Sequence, residues 1–129
     1  LHGYNNFFRF TGIALKVSSI DCLPQIEVSH NQKIRKYMLV LNGEISHVTN
    51  FSQAVFPPGE VAESHMHVKM TEVFFIESGQ GVITVNEKDI TLKTGTCVVV
   101  EPDEKHELKN TGSTDMVVLY FGIKTQPKN

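Results

Sequence analysis

The chain has 129 residues, long enough for one domain with a buried core. Its 12 Lys plus Arg against 14 Asp plus Glu give a formal net charge of −2, which excludes nucleic acid as the main partner, because phosphate neutralisation needs a basic face. No apolar run approaches the ~20 residues of a membrane helix, no signal-peptide pattern follows Leu1, and a cytoplasmic protein without a membrane partner is expected.

Taken in order, apolar and β-branched runs recur at residues 7–17, 37–41, 51–56, 73–76, 82–85, 96–100 and 116–123. Turn signals separate them: Asn42-Gly43, Pro57-Pro58-Gly59, Ser78-Gly79, Asn86 to Asp89, Lys93-Thr94-Gly95, Pro102-Asp103-Glu104 and Asn110 to Ser113. Short strands spaced by Gly, Pro and Asn turns predict an all-β sandwich or barrel. Neither a linker nor a repeat is present, so residues 1–129 read as a single domain. Residues 18–36 are of mixed polarity and give no clear element. Their basic cluster, Lys33, Arg35 and Lys36, reads as a solvated strand or turn edge. The two cysteines, Cys22 and Cys97, make no disulfide scaffold, and Cys97, beside Val98-Val99-Val100, reads as a small core residue.

Two runs, 73–76 and 117–121, are apolar at every position. A strand with one wet face alternates, so both faces of these strands are expected to be covered. One face would line the barrel. The other would pack on the N-terminal segment or on a second copy, and a homodimer is expected on this ground.

The chemistry is concentrated in residues 59–79 and at His106. His65 and His67 are two apart, so on a strand both rings point to one face. Glu72 follows His67 at an odd separation, which requires a turn or bulge over residues 69–71 to bring it back inward. His106 arrives on another strand after a Pro-containing turn. Three imidazoles and a carboxylate can hold one transition ion, and an octahedral ion would keep two positions free. A structural zinc site is closed and thiolate-rich, which this set is not. His2, His30 and His47 are isolated; His2 reads as part of an appended tag, the others as surface or hydrogen-bonded histidines.

Gly59, His65, His67, Glu72 and Gly79 resemble the first cupin motif, Gly, five residues, His-x-His, three or four residues, Glu, six residues, Gly. Gly95, His106 and Asn110 keep the separations of the second. There, Pro102 falls one place late and Asp103 stands where the motif has glycine. The resemblance, strongest over residues 51–123, is to small single-domain cupins of the conserved-barrel type. It implies a double-stranded β-helix (jelly-roll) barrel, with residues 1–50 adding N-terminal strands. It also implies His65, His67, Glu72 and His106 as ligands of one divalent metal, with Fe, Mn, Ni, Zn and Cu all open.

Around that site, parity puts Phe74 and Ile76 on the face of Glu72, Leu108 on the face of His106, and Glu77 away from the metal. Glu63 and Tyr120 are candidate catalytic groups; Gln53, Lys69 and Lys105 are further candidates near the pocket. Three functions stand open. One is a metal-dependent enzyme on a small organic molecule, of dioxygenase or of isomerase or lyase type, as the resemblance allows. The second is a non-catalytic small-molecule binder or sensor. The third is a structural dimer tied by its metal.

Overall fold

The computed structural model describes residues 6–10, 13–28 and 31–125, with the backbone alone described for 6–10, 13 and 14. His2 and His30 lie outside the described residues. Twelve strands follow in order: β1 (Asn6–Phe10), β2 (Ile13–Val17), β3 (Ile26–Val28), β4 (Asn31–Val40), β5 (Phe51–Phe56), β6 (Val61–His65), β7 (Met70–Ser78), β8 (Gln80–Val85), β9 (Lys88–Lys93), β10 (Cys97–Val100), β11 (His106–Asn110) and β12 (Met116–Lys124). A short 3-10 turn at Ile20–Cys22 is the one helical element among the described residues.

The strands form a six-stranded sheet in the order β10-β7-β12-β5-β4-β3 and a four-stranded sheet in the order β6-β11-β8-β9, with β1 and β2 as a separate hairpin. Every pairing is antiparallel. From β5 onward the chain passes back and forth between the two sheets over short connections, with only β8 and β9 consecutive in one sheet, which makes this a jelly roll, as the sequence predicts.

The core follows from side chains alternating along each strand. On β7, Glu72, Phe74 and Ile76 point inward; on β11, His106, Leu108 and Asn110 do. Ile34, Ile76, Ile83 and Met116 reach 0% exposure between the two sheets. Ile34 belongs to β4, so the segment before residue 51 contributes to the core itself. The run at residues 7–17 is divided into two strands of a hairpin.

Gly79 adopts φ +87°, and a Cβ there would meet the Asp115 carbonyl oxygen at 2.5 Å, so this turn between β7 and β8 takes glycine only. The turn between β8 and β9 instead uses Asn86 and Glu87 in the left-handed region.

Over β7, β10 and β12 the outer face of the six-stranded sheet is largely apolar, as its non-alternating strands predict, and in the chain by itself it is partly open: Phe75, Val99 and Ile123 are 41%, 56% and 40% exposed. Cys97 shares this face and is exposed, which corrects its reading as a core residue. Its pairing partner is Phe75, and both point outward from the edge of the sheet. Apolar neighbours in sequence do not bury a side chain on an open edge of its sheet face.

Candidate metal centre

The four donors come from both sheets. His65 ends β6 and His106 begins β11, paired neighbours in the four-stranded sheet, while Glu72 lies on β7 of the six-stranded sheet. His67 sits just beyond the end of β6, in the segment that crosses between sheets. That crossing, bent at Val68 and Lys69, supplies the change of direction that the odd spacing requires; Met70 and Thr71 already belong to β7.

Glu72 is the hub. Its Oε1 lies 3.0 Å from His106 Nε2, 3.3 Å from His67 Nε2 and 3.9 Å from His65 Nε2. One donor atom from each of the four residues falls within 4.8 Å of all the others. Donors about 2.1 Å from one ion lie roughly 3.0 Å apart when adjacent and roughly 4.2 Å apart when opposite, so the cluster has the dimensions of a coordination shell.

The tautomers fit as well. His65 Nδ1–H donates to the Glu63 carbonyl at 2.9 Å, and His106 Nδ1–H donates to the Glu104 carbonyl at 3.0 Å. Backbone carbonyls only accept, so each ring keeps its proton on Nδ1 and turns Nε2 toward the cluster, the orientation that metal-binding histidines need. His106 is buried at 1% exposure, and its Nε2 also faces a carboxylate oxygen. A neutral ring with acceptors at both nitrogens is one hydrogen short; a cation between Nε2 and Oε1 meets the same need as a second proton. Accordingly, burial pulls the His106 value down, but hydrogen bonds to Glu72 and Glu104 and the charges of both hold it above its ordinary 6.5. For His67, burial dominates and, with the neighbouring His65 and His106 and against the pull of Glu72, holds the ring below its ordinary value, in the neutral form that ligates.

The second-motif departure has a structural answer. Asp103 takes φ 71°, the conformation that glycine would otherwise supply, and its N–H donates to the His67 carbonyl at 2.7 Å. The turn before His106 is thereby tied to the segment carrying His67. At the far end of β11, the Asn110 amide donates to the Phe56 and Thr114 carbonyls, and its oxygen accepts from Gly112 N–H, each at 2.8 Å.

A cavity of about 650 Å³ opens beside the cluster, with His65, His67 and Glu72 on its wall and His106 behind them. Phe74, Leu108, Val118 and Ala54 make most of it apolar. Tyr120 points in, stacked on Phe74 at 5.8 Å between ring centres. Burial, helped by the Glu72 charge and opposed by the Ser52 hydroxyl, pushes its phenol up to about 12. Glu63 borders the cavity but is exposed. Gln53 and Glu77 bond to each other at 2.9 Å on the outer face, and Lys69 and Lys105 are exposed away from the cavity. His47 is exposed in a turn, beside Ser46.

Sequence reasoning missed Lys36. Its charged neighbours place it on a solvated edge, whereas it is half-buried and lines the cavity. Its signal was its parity with Ile34, two residues before it on β4. Lys33 and Arg35 do occupy the outside, near Glu60 and Asp115.

A jelly roll in which three histidines and one glutamate converge beside an apolar cavity defines a barrel protein with a candidate metal site. The family model described as "Cupin domain" matches residues 52–122, and the chain belongs to that family. It is 35% identical over 69 residues to the oxalate-binding protein of Thermotoga maritima, covering 54% of this chain and 57% of that protein. The chain thus spans little more than half the length of this curated relative. A crystal structure from the same organism, described as a predicted oxalate decarboxylase, superposes with a TM-score of 0.77 at 24% identity, over 82% of this chain and 96% of that one. The cupin domain of Schizosaccharomyces pombe Cnp3 gives 0.72 at 15% identity, over 93% and 85%. These likenesses establish the fold. No helix among the described residues is long and apolar enough to cross a membrane.

Proposed function

We propose that residues 1–129 form a single cupin domain that holds one divalent transition ion through His65, His67, Glu72 and His106, and acts as a metal-dependent enzyme on a small organic acid. The observation that carries this is the four-donor cluster, tautomers set, on the wall of an apolar cavity. When bound, the ion supplies Lewis acidity, or redox chemistry with dioxygen if it is a redox-active metal. The protein's own groups do the rest. Phe74, Val118 and Leu108 exclude water from the ligand. Tyr120, held protonated at neutral pH, donates a hydrogen bond to a ligand oxygen. The Glu63 carbonyl, more than its carboxylate, serves the site by orienting His65.

A second reading, a binder without turnover, draws on a specific point. Among the described residues, the ionisable groups lining the cavity apart from the proposed ligands are Lys36, Glu63 and Tyr120, and a phenol raised to about 12 is a poor base at neutral pH. Similarity to an oxalate-binding protein favours the same reading. A homodimer through the outer sheet face is proposed from the exposed Phe75, Val99 and Ile123.

Elemental analysis of protein kept from chelators and nickel resin is the test. Near one equivalent of metal is expected, and traces alone, with none taken up on titration, would reject the proposal. Paramagnetic resonance with nitric oxide then separates oxygenase from isomerase or lyase chemistry. Product formation from oxalate separates enzyme from binder.

A further inference from the structure

Lys36 is a cation in the wrong surroundings for a structural role. Its β4 position pairs with Ala54 on β5, which pairs with Val118 on β12, which pairs with Ile76 on β7. Those three neighbours in the ladder row are 2%, 1% and 0% exposed, so the row runs across the inside of the barrel. Among the described residues, no carboxylate pairs with Lys36, although Lys33 and Arg35 beside it each have one. Burial alone lowers its pKa from 10.5, with no compensating partner. An unpaired cation held in an apolar wall is unfavourable for the free protein.

Its placement relative to the metal cluster is informative. Glu72 lies in the ladder row of Gly122, and Lys36 in that of Val118, four residues along the same strand, which is a rise of roughly 13 Å. The strands that carry them are three places apart in the six-stranded sheet, roughly 14 Å around it. The lysine stem reaches about 6 Å of that, so the ammonium stands apart from the donor cluster, across the same cavity. Between them the wall is Phe74, Ala54 and Val118, which suits carbon rather than charge.

We infer that Lys36 is the anchor for a second acidic group of the ligand, so that the cavity takes a small organic dianion bound by the metal cluster at one end and by the Lys36 ammonium at the other. The inference rests on the proposed metal site. It specifies the class: a dicarboxylate or an oxo- or hydroxy-diacid, with an apolar spacer against Phe74 and Val118. Oxalate, which can chelate an ion with both carboxylates, need not use Lys36 at all. The site charges agree. With the exposed Glu63 at the rim left to solvent, a divalent ion with Glu72 carries one net positive charge and Lys36 a second, which a dianion balances.

The experiment uses the full chain loaded with Mn(II), with metal content measured first. Oxalate, malonate, succinate and glutarate are titrated calorimetrically, with monomethyl succinate as the monoanion. Lys36→Met keeps the apolar stem and removes the charge; Lys36→Gln provides a second neutral variant should the first fold poorly. The expected result is one equivalent of Mn(II) in wild type and variant, with a loss of about tenfold to a hundredfold in affinity for at least one of the longer dianions and none for the monoester. Equal affinities in wild type and variant, or an equal loss for the monoester, overturn the role of Lys36 while leaving the metal site standing. Failure of the wild type to take up Mn(II) overturns both.

Discussion

Replacing His67 with Ala separates ligation from folding. The His67 side chain is 39% exposed, against 1% for His106, so its removal opens no core cavity. The one hydrogen bond that ties its residue to the second-motif turn uses the backbone carbonyl, which alanine keeps. The metal-free variant is therefore expected to melt within about 3 °C of wild type, as half-exposed substitutions do. For a chain of 129 residues the entropy of unfolding is about 0.27 kcal/mol per degree. A metal at a hundred times its Kd stabilises by about 2.7 kcal/mol, which raises the wild-type Tm by about 10 °C. Loss of one of four ligands is expected to weaken binding at least a hundredfold, leaving a shift of about 1.5 °C at the same metal concentration. Paired melting curves with and without Mn(II), with metal content measured on dialysed protein, give the answer. A variant that keeps both the 10 °C shift and a full equivalent of metal would show that the ligand set is wrong.

Asn110→Ala removes three hydrogen bonds of 2.8 Å at a fully buried position and is expected to lower stability by about 2–5 kcal/mol, read from the urea midpoint; a loss below about 1 kcal/mol would show that water replaces them. Gly79→Ala combines φ +87° with a Cβ 2.5 Å from the Asp115 oxygen and is expected to cost about 2–4 kcal/mol in the same assay. Lys36→Met should melt higher than wild type at pH 7. Burial lowers the Lys36 value in the fold below 10.5, so between the two values the unfolded chain binds more protons and wild-type stability rises with pH; the advantage of the variant should shrink as pH climbs toward 10.5, and a constant difference would locate the effect in packing instead.

Alternation and turn chemistry made much of this architecture readable. Phe74, Ile76, Leu108 and Glu77 point where parity puts them, because side chains alternate from Glu72 to Glu77 on β7 and from His106 to Asn110 on β11, although the pairings of both strands carry a register shift. The motif spacings picked out the four residues that converge, because a strand and a crossing of fixed length leave little freedom. Elsewhere the pattern carried no phase. The run holding Tyr120 is apolar on both sides of its strand, so nothing in its sequence tells inside from outside. Val61–His65 ends in polar residues at the rim, and Lys88–Lys93 carries charges on its open side, so neither announces itself as a strand. Lys36 was hidden by its neighbours: two charged residues that face water made a third look like one of them. Cys97 shows the converse, an apolar run at the open edge of a sheet face.

One strand joins several of these observations. β11 is fastened to the opposite sheet at both ends, by His106 against Glu72 and by Asn110 against the Phe56 carbonyl. The two side chains are four residues apart on one face, so a slip of one residue would turn both outward together with Leu108. If the cluster takes the proposed ion, its uptake becomes a reporter of correct strand pairing: refolded molecules with β11 out of register would be well paired along their backbones yet unable to take metal. A binding titration would count them where circular dichroism could not.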